Sequence, residues 1–167
     1  MIETARLFLR KPTAADVEDP PRWLADPRVM DFLGGVEDPS TISVVVQQWL
    51  DQWEKFPAGK FIVETLDGER IGRVGLNFYD PRDWTRSRAD DAQPELTWAI
   101  AYEHWGNGYA TEAAGALREW FGRSGVISLI APDNARSQRV AEKLGCTAGI
   151  TVDLPDGGPH VVWTHPC

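Results

Sequence analysis

The sequence predicts an α+β fold: a mixed, mostly antiparallel central sheet of about seven strands with four helices. Three observations predict it. Residues 60–66, 70–80 and 95–103 read as successive strands, and such a meander favours antiparallel pairing. A strand–helix–strand crossover over residues 95–131 adds one parallel pair. The chain has 167 residues, 43% of them apolar, which suits one sizeable core, and we read residues 1–167 as a single domain.

The elements follow in order. In residues 4–11, TARLFLRK, Leu7 and Leu9 alternate with Arg6, Phe8 and Arg10, the period of a strand. Residues 14–26 form a broken helical stretch, interrupted by Pro20 and Pro21. Residues 40–56, STISVVVQQWLDQWEKF, put Ile42, Val45, Val46, Trp49, Leu50 and Trp53 on one helical face, with Ser40 or Thr41 as cap. The valine run lowers the propensity of this helix, so packing has to hold it. Asp67-Gly68-Glu69 marks the hairpin between the next two strands. A polar loop, 81–94, leads to ELTWAIAYE, where Leu96, Trp98, Ile100 and Tyr102 alternate with Glu95, Thr97, Ala99 and Ala101. The following helix presents Ala110, Ala113, Ala114, Leu117, Trp120 and Phe121 on one face. Residues 125–132 are a short apolar strand, and 134–145 a helix with Asn134 as N-cap and Gly145 just past its end. Strands around 148–154 and 160–165 flank the turn PDGGP.

The net charge of −8 argues against a nucleic-acid partner, whose phosphates need a basic face, and favours cationic ligands such as amines. Cys146 and Cys167 belong to no CxxC or Cys/His cluster, so neither a zinc site nor a disulfide framework is expected. The first residues, MIETARLFLRKP, do not read as a signal peptide, and no apolar run reaches membrane-spanning length. A cytoplasmic location, no metal and no membrane contact are the resulting expectations. A homodimer is left open.

Residues 104–114, HWGNGYATEAA, place two glycines at the mouth of a helix, where Ser or Asp is the usual cap. The first turn of a helix has backbone N–H groups without partners, and the helix dipole adds positive charge there. Glycines let a bulky anion such as a pyrophosphate approach that backbone; a sharp structural turn is the plain alternative. No GK[ST] follows, which excludes a P-loop, and Thr111 stands where the GxGxxG fingerprint needs glycine.

Around this loop, PELTWAIAYEHWGNGYATEAAGALREWF followed by NARSQRVAEKLGC resembles the GCN5-related N-acetyltransferase (GNAT) superfamily, in particular the branch that acetylates ribosomal-protein N-termini. That family's loop is Q/R-x-x-G-x-G/A; here it reads Trp105-Gly106-Asn107-Gly108-Tyr109-Ala110, with Trp105 replacing Gln or Arg. Asn134, Ser137, Val140, Glu142, Lys143, Leu144 and Gly145 match its downstream pattern, and Cys146 departs from the usual aromatic residue. The resemblance implies a GNAT fold whose sheet splays between the fourth and fifth strands. It implies acetyl-CoA as co-substrate, its pantetheine arm on the backbone of Ile100 and Ala101. Its pyrophosphate would lie on Gly106, Asn107, Gly108, Tyr109 and Ala110 beside Trp105 and Thr111, with Asn134 reaching it from the next helix.

Amine acetylation needs a proton acceptor, a donor for the oxyanion and, optionally, an acid for the leaving thiolate. Glu95 is the candidate base, its pKa raised by burial, or else an electrostatic anchor for the amine. The Ile100 N–H is the candidate oxyanion donor. The tyrosine that many relatives use as acid is replaced by Ala141, which leaves Ser137 as candidate acid or as a helix-terminal hydrogen-bonding group. His104, at a strand end, His160 and His165 show no ligand spacing. The expected function is acetyl transfer to a primary amine of a small molecule or protein N-terminus by direct attack in a ternary complex. The alternative is an acyl-CoA-binding regulatory or accessory protein without turnover. Residues 27–40 would border the acceptor, with Asp31, Glu37 and Asp38 attracting the amine.

Overall fold

Leu7 and Leu9 are fully buried while Phe8 and Arg10 are not, so the alternation of the first hydrophobic run does make a strand. It is the second strand of the chain. In the computed structural model, which describes residues 1–35, 38–155 and 157–166, a two-residue strand precedes it. The strands are β1 (Ile2–Glu3), β2 (Leu7–Arg10), β3 (Lys60–Thr65), β4 (Arg70–Tyr79), β5 (Gln93–Ile100), β6 (Ile127–Ile130), β7 (Thr147–Leu154) and β8 (Gly158–Thr164). They form one eight-stranded sheet in the order β1-β2-β3-β4-β5-β6-β8-β7. The eighth strand beyond the expected seven is β1, too short to carry a periodic signal.

Among the described residues the helices number five rather than four. The helices are α1 (Ala14–Glu18), α2 (Pro27–Met30), α3 (Ile42–Lys55), α4 (Tyr109–Phe121) and α5 (Ala135–Lys143). Prolines account for the difference. Pro20 and Pro21 lack the N–H that would continue α1, and the chain passes through a 3₁₀ turn at Arg22–Ala25. Pro27 then starts α2 at its first position, where a missing N–H does no harm, and the Asp26 side chain accepts from Arg28 N at 2.9 Å. Thr41 holds the N-cap position of α3 but does not cap it: its hydroxyl donates to the Asp38 carbonyl, and Ser40 to the Asp38 carboxylate.

Both faces of the sheet are covered. Ile42, Val46 and Trp49 of α3 pack with Trp23, Leu24, Val29 and Met30 against Ile62, Ala99 and Ala101. On the other face Ala113, Ala114 and Leu117 of α4 meet Leu76, Leu96, Trp98 and Ile100. The small alanines let α4 approach closely. Two expected core residues are on the outside. Trp120 is 47% exposed at the last turn of α4, and Tyr102 is 43% exposed because β5 ends at Ile100 and a 3₁₀ turn, Tyr102–His104, follows.

All neighbouring strands pair antiparallel except β5 and β6, which run parallel. Their register holds one pair, Glu95↔Ile127, after which the strands part. The expected splay is therefore present, between the crossover strands that α4 connects.

Candidate active site

An antiparallel ladder turns successive backbone groups alternately toward and away from its partner. Ala101 N donates to Ile71 O at 2.7 Å, so the odd-numbered residues of β5 bond β4 and the even-numbered ones face β6. Beyond the single pair with β6, the backbone groups of Trp98 and the Ile100 N–H thus face a widening gap. The Leu96 carbonyl is held by Ser128 Oγ of β6 at 2.6 Å, and the hydroxyl also lies 2.9 Å from His165 Nε2. The Ile100 carbonyl accepts from the Trp105 indole at 2.7 Å. The unusual tryptophan of the loop thus ties the loop to the end of β5.

At the far end of the gap, Gly106 and Gly108 both have φ +80°, a conformation that side-chain-bearing residues adopt at a cost. Gly108 is the N-cap of α4 and offers no side-chain acceptor, so the first-turn N–H groups open outward. No protein atom lies within 4 Å of a Cβ built on Gly106, and on Gly108 only Arg6 Nη2 at 3.6 Å. The loop is clamped by the segment that joins β1 to β2. Arg6 donates to the Asn107 carbonyl at 2.9 Å and pairs with Glu112 at 2.6 Å, and Thr4 donates to the same carboxylate.

A cleft of about 260 Å³ brings together Ile100, Trp105, Gly106, Gly108, Tyr109, Ala110, Thr111, Asn134 and Ser137. Two residues expected to bind the cofactor do not line it. Ala101 has its amide on Ile71, facing β4. Asn107 turns its side chain to the carbonyls of His104 and Trp105. Asn134 caps α5, its side chain accepting from Ser137 N at 3.1 Å. His104 sits in the 3₁₀ turn, 3.1 Å from Glu69. The cleft also has a basic side that we did not anticipate: Arg28, Arg136, Arg139 and Lys143. The last three recur at helical spacing on α5, a stripe legible in the sequence once the helix is placed.

A smaller cavity of about 30 Å³ adjoins the cleft and shares Phe32, Leu33, Trp98, Asn134 and Ser137 with it. Glu95 and Thr97 line this cavity. Glu95 is 6% exposed and accepts from Asn77 Nδ2 at 2.6 Å, and Asn77 in turn accepts from the ammonium of Lys60. Gly75 makes this chain feasible, since a Cβ there would stand 2.5 Å from Lys60 Cδ. Burial and the nearby Arg73 push Lys60 well below the usual ammonium range. Burial lowers Arg73 to about 10 and raises Tyr79 to about 12. No motif announces Lys60, Arg73 or Asn77; they become one polar patch only through strand register.

Of the three carboxylates expected to attract the amine, the structure describes two. Asp31 and Asp38 are exposed, Asp38 with its carboxylate on Ser40, and Glu37 lies outside the described residues. The buried carboxylate Glu95 acts through space on both Lys60 and Arg73.

The profile of the family described as Acetyltransferase (GNAT) domain matches residues 6–147. The uncharacterized protein YkkB of Bacillus subtilis (strain 168) is 33% identical over 128 residues, 72% of this chain and 69% of that protein. The crystal structure of an acetyltransferase from Agrobacterium tumefaciens strain C58 is 30% identical, with a TM-score of 0.78 over 99% of this chain and 94% of that one. The structure of AAC(6')-Ib in complex with ribostamycin and coenzyme A is 26% identical, with a TM-score of 0.76 over 95% of this chain and 92% of that one.

Proposed function

The chain belongs to the GNAT acetyltransferase family, and from that premise we propose that it transfers the acetyl group of acetyl-CoA to a primary amine by direct attack in a ternary complex. The observation that carries this reading is the junction of the two cavities at Trp98, Asn134 and Ser137. Glu95 lines one of these neighbouring cavities and the glycine loop the other. Acetyl-CoA is the co-substrate. The loop N–H groups from Gly106 to Ala110 and the basic side of α5 receive its phosphates. Its thioester supplies the activated acyl carbon.

Glu95 accepts the proton that the amine must lose, directly or through a water. The surrounding cations assist, because a positive environment disfavours an ammonium. The amine nitrogen then bonds the acyl carbon as the carbonyl π bond opens to an oxyanion, and collapse of that adduct breaks the carbon–sulfur bond and frees the nitrogen's second proton for the thiolate. The Ile100 N–H, free of β6, donates to the oxyanion that forms. Ser137, beside the junction, is the candidate that returns a proton to the thiolate.

The reading without turnover draws on Ala141, which is fully buried and brings no acid to the position where relatives carry one. Turnover of a panel of amines separates the two. Within it, Glu95→Gln should retain CoA affinity and lose about 10²–10⁴-fold in kcat. The loss should shrink as pH rises and the amine deprotonates unaided. A mutant whose kcat and KM both equal wild type at every pH would remove Glu95 from the mechanism. A defect confined to KM would make it an anchor and not a base.

A further inference from the structure

Six arginines of this chain, Arg6, Arg10, Arg28, Arg70, Arg82 and Arg73, invite comparison. The first five each pair with a carboxylate within 4 Å. Arg73 does not, among the described residues, although it is only 8% exposed and thus among the most deeply buried cations. Its one side-chain hydrogen bond among the described residues is a long one, Nη1 donating to Thr97 Oγ1 at 3.4 Å. The Trp49 ring lies 5.9 Å away, at the outer limit of a cation–π contact. A buried charge without a counter-ion is normally paired, bound to a ligand, or neutralised. Guanidinium groups resist neutralisation; burial brings this one down only to about 10.

The position of this group is as informative as its charge. Arg73 stands opposite Ala99, and Asn77 opposite Glu95, so Arg73, Asn77, Thr97 and Glu95 share one face of the sheet. Thr97, which the guanidinium reaches, lines the acceptor cavity together with Glu95. On one face of a strand, residues two apart are roughly 7 Å apart. Arg73 itself is not among the side chains that line the cavity; its guanidinium reaches the wall through Thr97, two strand positions from Glu95. Arg86 adds charge of the same sign as Arg73.

Resting on the reading of Glu95 as the amine's proton acceptor, we propose that the acceptor is a small amine that also carries an anionic group, a carboxylate or a phosphate, and that Arg73 receives this group beside Thr97. The ligand supplies the directly bonded anion that Arg73 lacks among the described residues, Glu95 acting on it only through space. Arginine suits the task, because its planar fork meets either anion through two parallel hydrogen bonds. Polycationic amines meet repulsion at the same place.

Matched probes test this in the wild-type protein with acetyl-CoA, following thiol release. Glycine is compared with glycinamide, β-alanine with β-alaninamide, and O-phosphoethanolamine with ethanolamine, with putrescine as the polycation. At least one anionic member should exceed its neutral partner in kcat/KM by at least tenfold, and which pair shows it separates carboxylate from phosphate. In Arg73→Gln that preference should collapse, while Arg73→Lys keeps part of it. Equal or better turnover of the neutral or polycationic amines by wild type overturns the proposal, as does a preference that survives in Arg73→Gln. If Arg73→Gln does not fold, the wild-type pairs decide alone. If no probe turns over, calorimetry on the CoA complex replaces the rate, and failure of every anionic probe to bind overturns the proposal equally. Failure of CoA itself to bind would instead overturn the acetyltransferase reading beneath it.

Discussion

Valine at position 108 separates strain from ligand binding in the glycine loop. The backbone there is left-handed at φ +80°, and a β-branched residue in that region costs at least about 1–2 kcal/mol. For a chain of this length that corresponds to roughly 2–8 °C in Tm. The protein itself does not crowd the new side chain, since only Arg6 Nη2 comes within 4 Å of the Cβ, at 3.6 Å. Any loss of coenzyme affinity beyond the strain must then come from the side chain filling the space in front of the first-turn N–H groups. We expect at least a tenfold rise in the Kd for CoA, about 1.4 kcal/mol, by calorimetry. Gly68 provides the control. Its φ is +84° and no atom lies within 4 Å of its built Cβ, but it sits in the β3–β4 turn. Gly68→Val should show a similar fall in Tm with CoA affinity unchanged. If Gly108→Val binds CoA as wild type does, or if Gly68→Val weakens binding as much, the loop is not the phosphate site.

Three further outcomes follow from buried groups. Burial, with Arg118 adding to it, lowers the His165 imidazole from 6.5 to about 4, so the unfolded chain binds the extra proton first. The stability from this group is complete above pH 6.5 and is lost as pH falls toward 4, roughly 3 kcal/mol in all. Denaturant unfolding across that window should show a fall for wild type that His165→Gln largely lacks; parallel curves would refute it. Asp16 is 2% exposed, and although burial raises its pKa, bonds from Arg10 and Thr13 hold it well below the usual carboxylate range. Asp16→Ala leaves Arg10 facing only Glu64 and should lose about 3–5 kcal/mol in urea unfolding; a loss below about 1 kcal/mol would contradict the buried pairing. Burial pushes the Cys146 thiol up to about 11, so with Cys167 replaced by Ser the native protein should resist iodoacetamide at pH 8 and carry no acetyl group during turnover, both read by mass spectrometry.

Periodicity and punctuation in the chain determined most of the elements. The alternation of Leu7 and Leu9, the helical spacing of Ile42, Val46 and Trp49, and the cap and stop at Asn134 and Gly145 all act within one or two turns, where sequence distance and spatial distance agree. The glycine loop was legible for the same reason, because its chemistry is local backbone. Where helices break at prolines, and where a strand ends at Ile100 and not at Glu103, neighbouring propensities compete and tertiary contacts choose. The polar patch around Glu95 was not legible. This cation–amide–carboxylate patch takes Lys60 from β3, Arg73 and Asn77 from β4 and Glu95 from β5, residues that no spacing connects. A net charge of −8 suggested an acidic cleft, but net charge is a sum over the whole surface, and the field at one buried point depends on which side chains the register of the ladder brings there. Only the folded sheet, in which Gly75 lets the Lys60 stem pass and the parting of β5 from β6 leaves the Ile100 N–H free, decides what that point can bind.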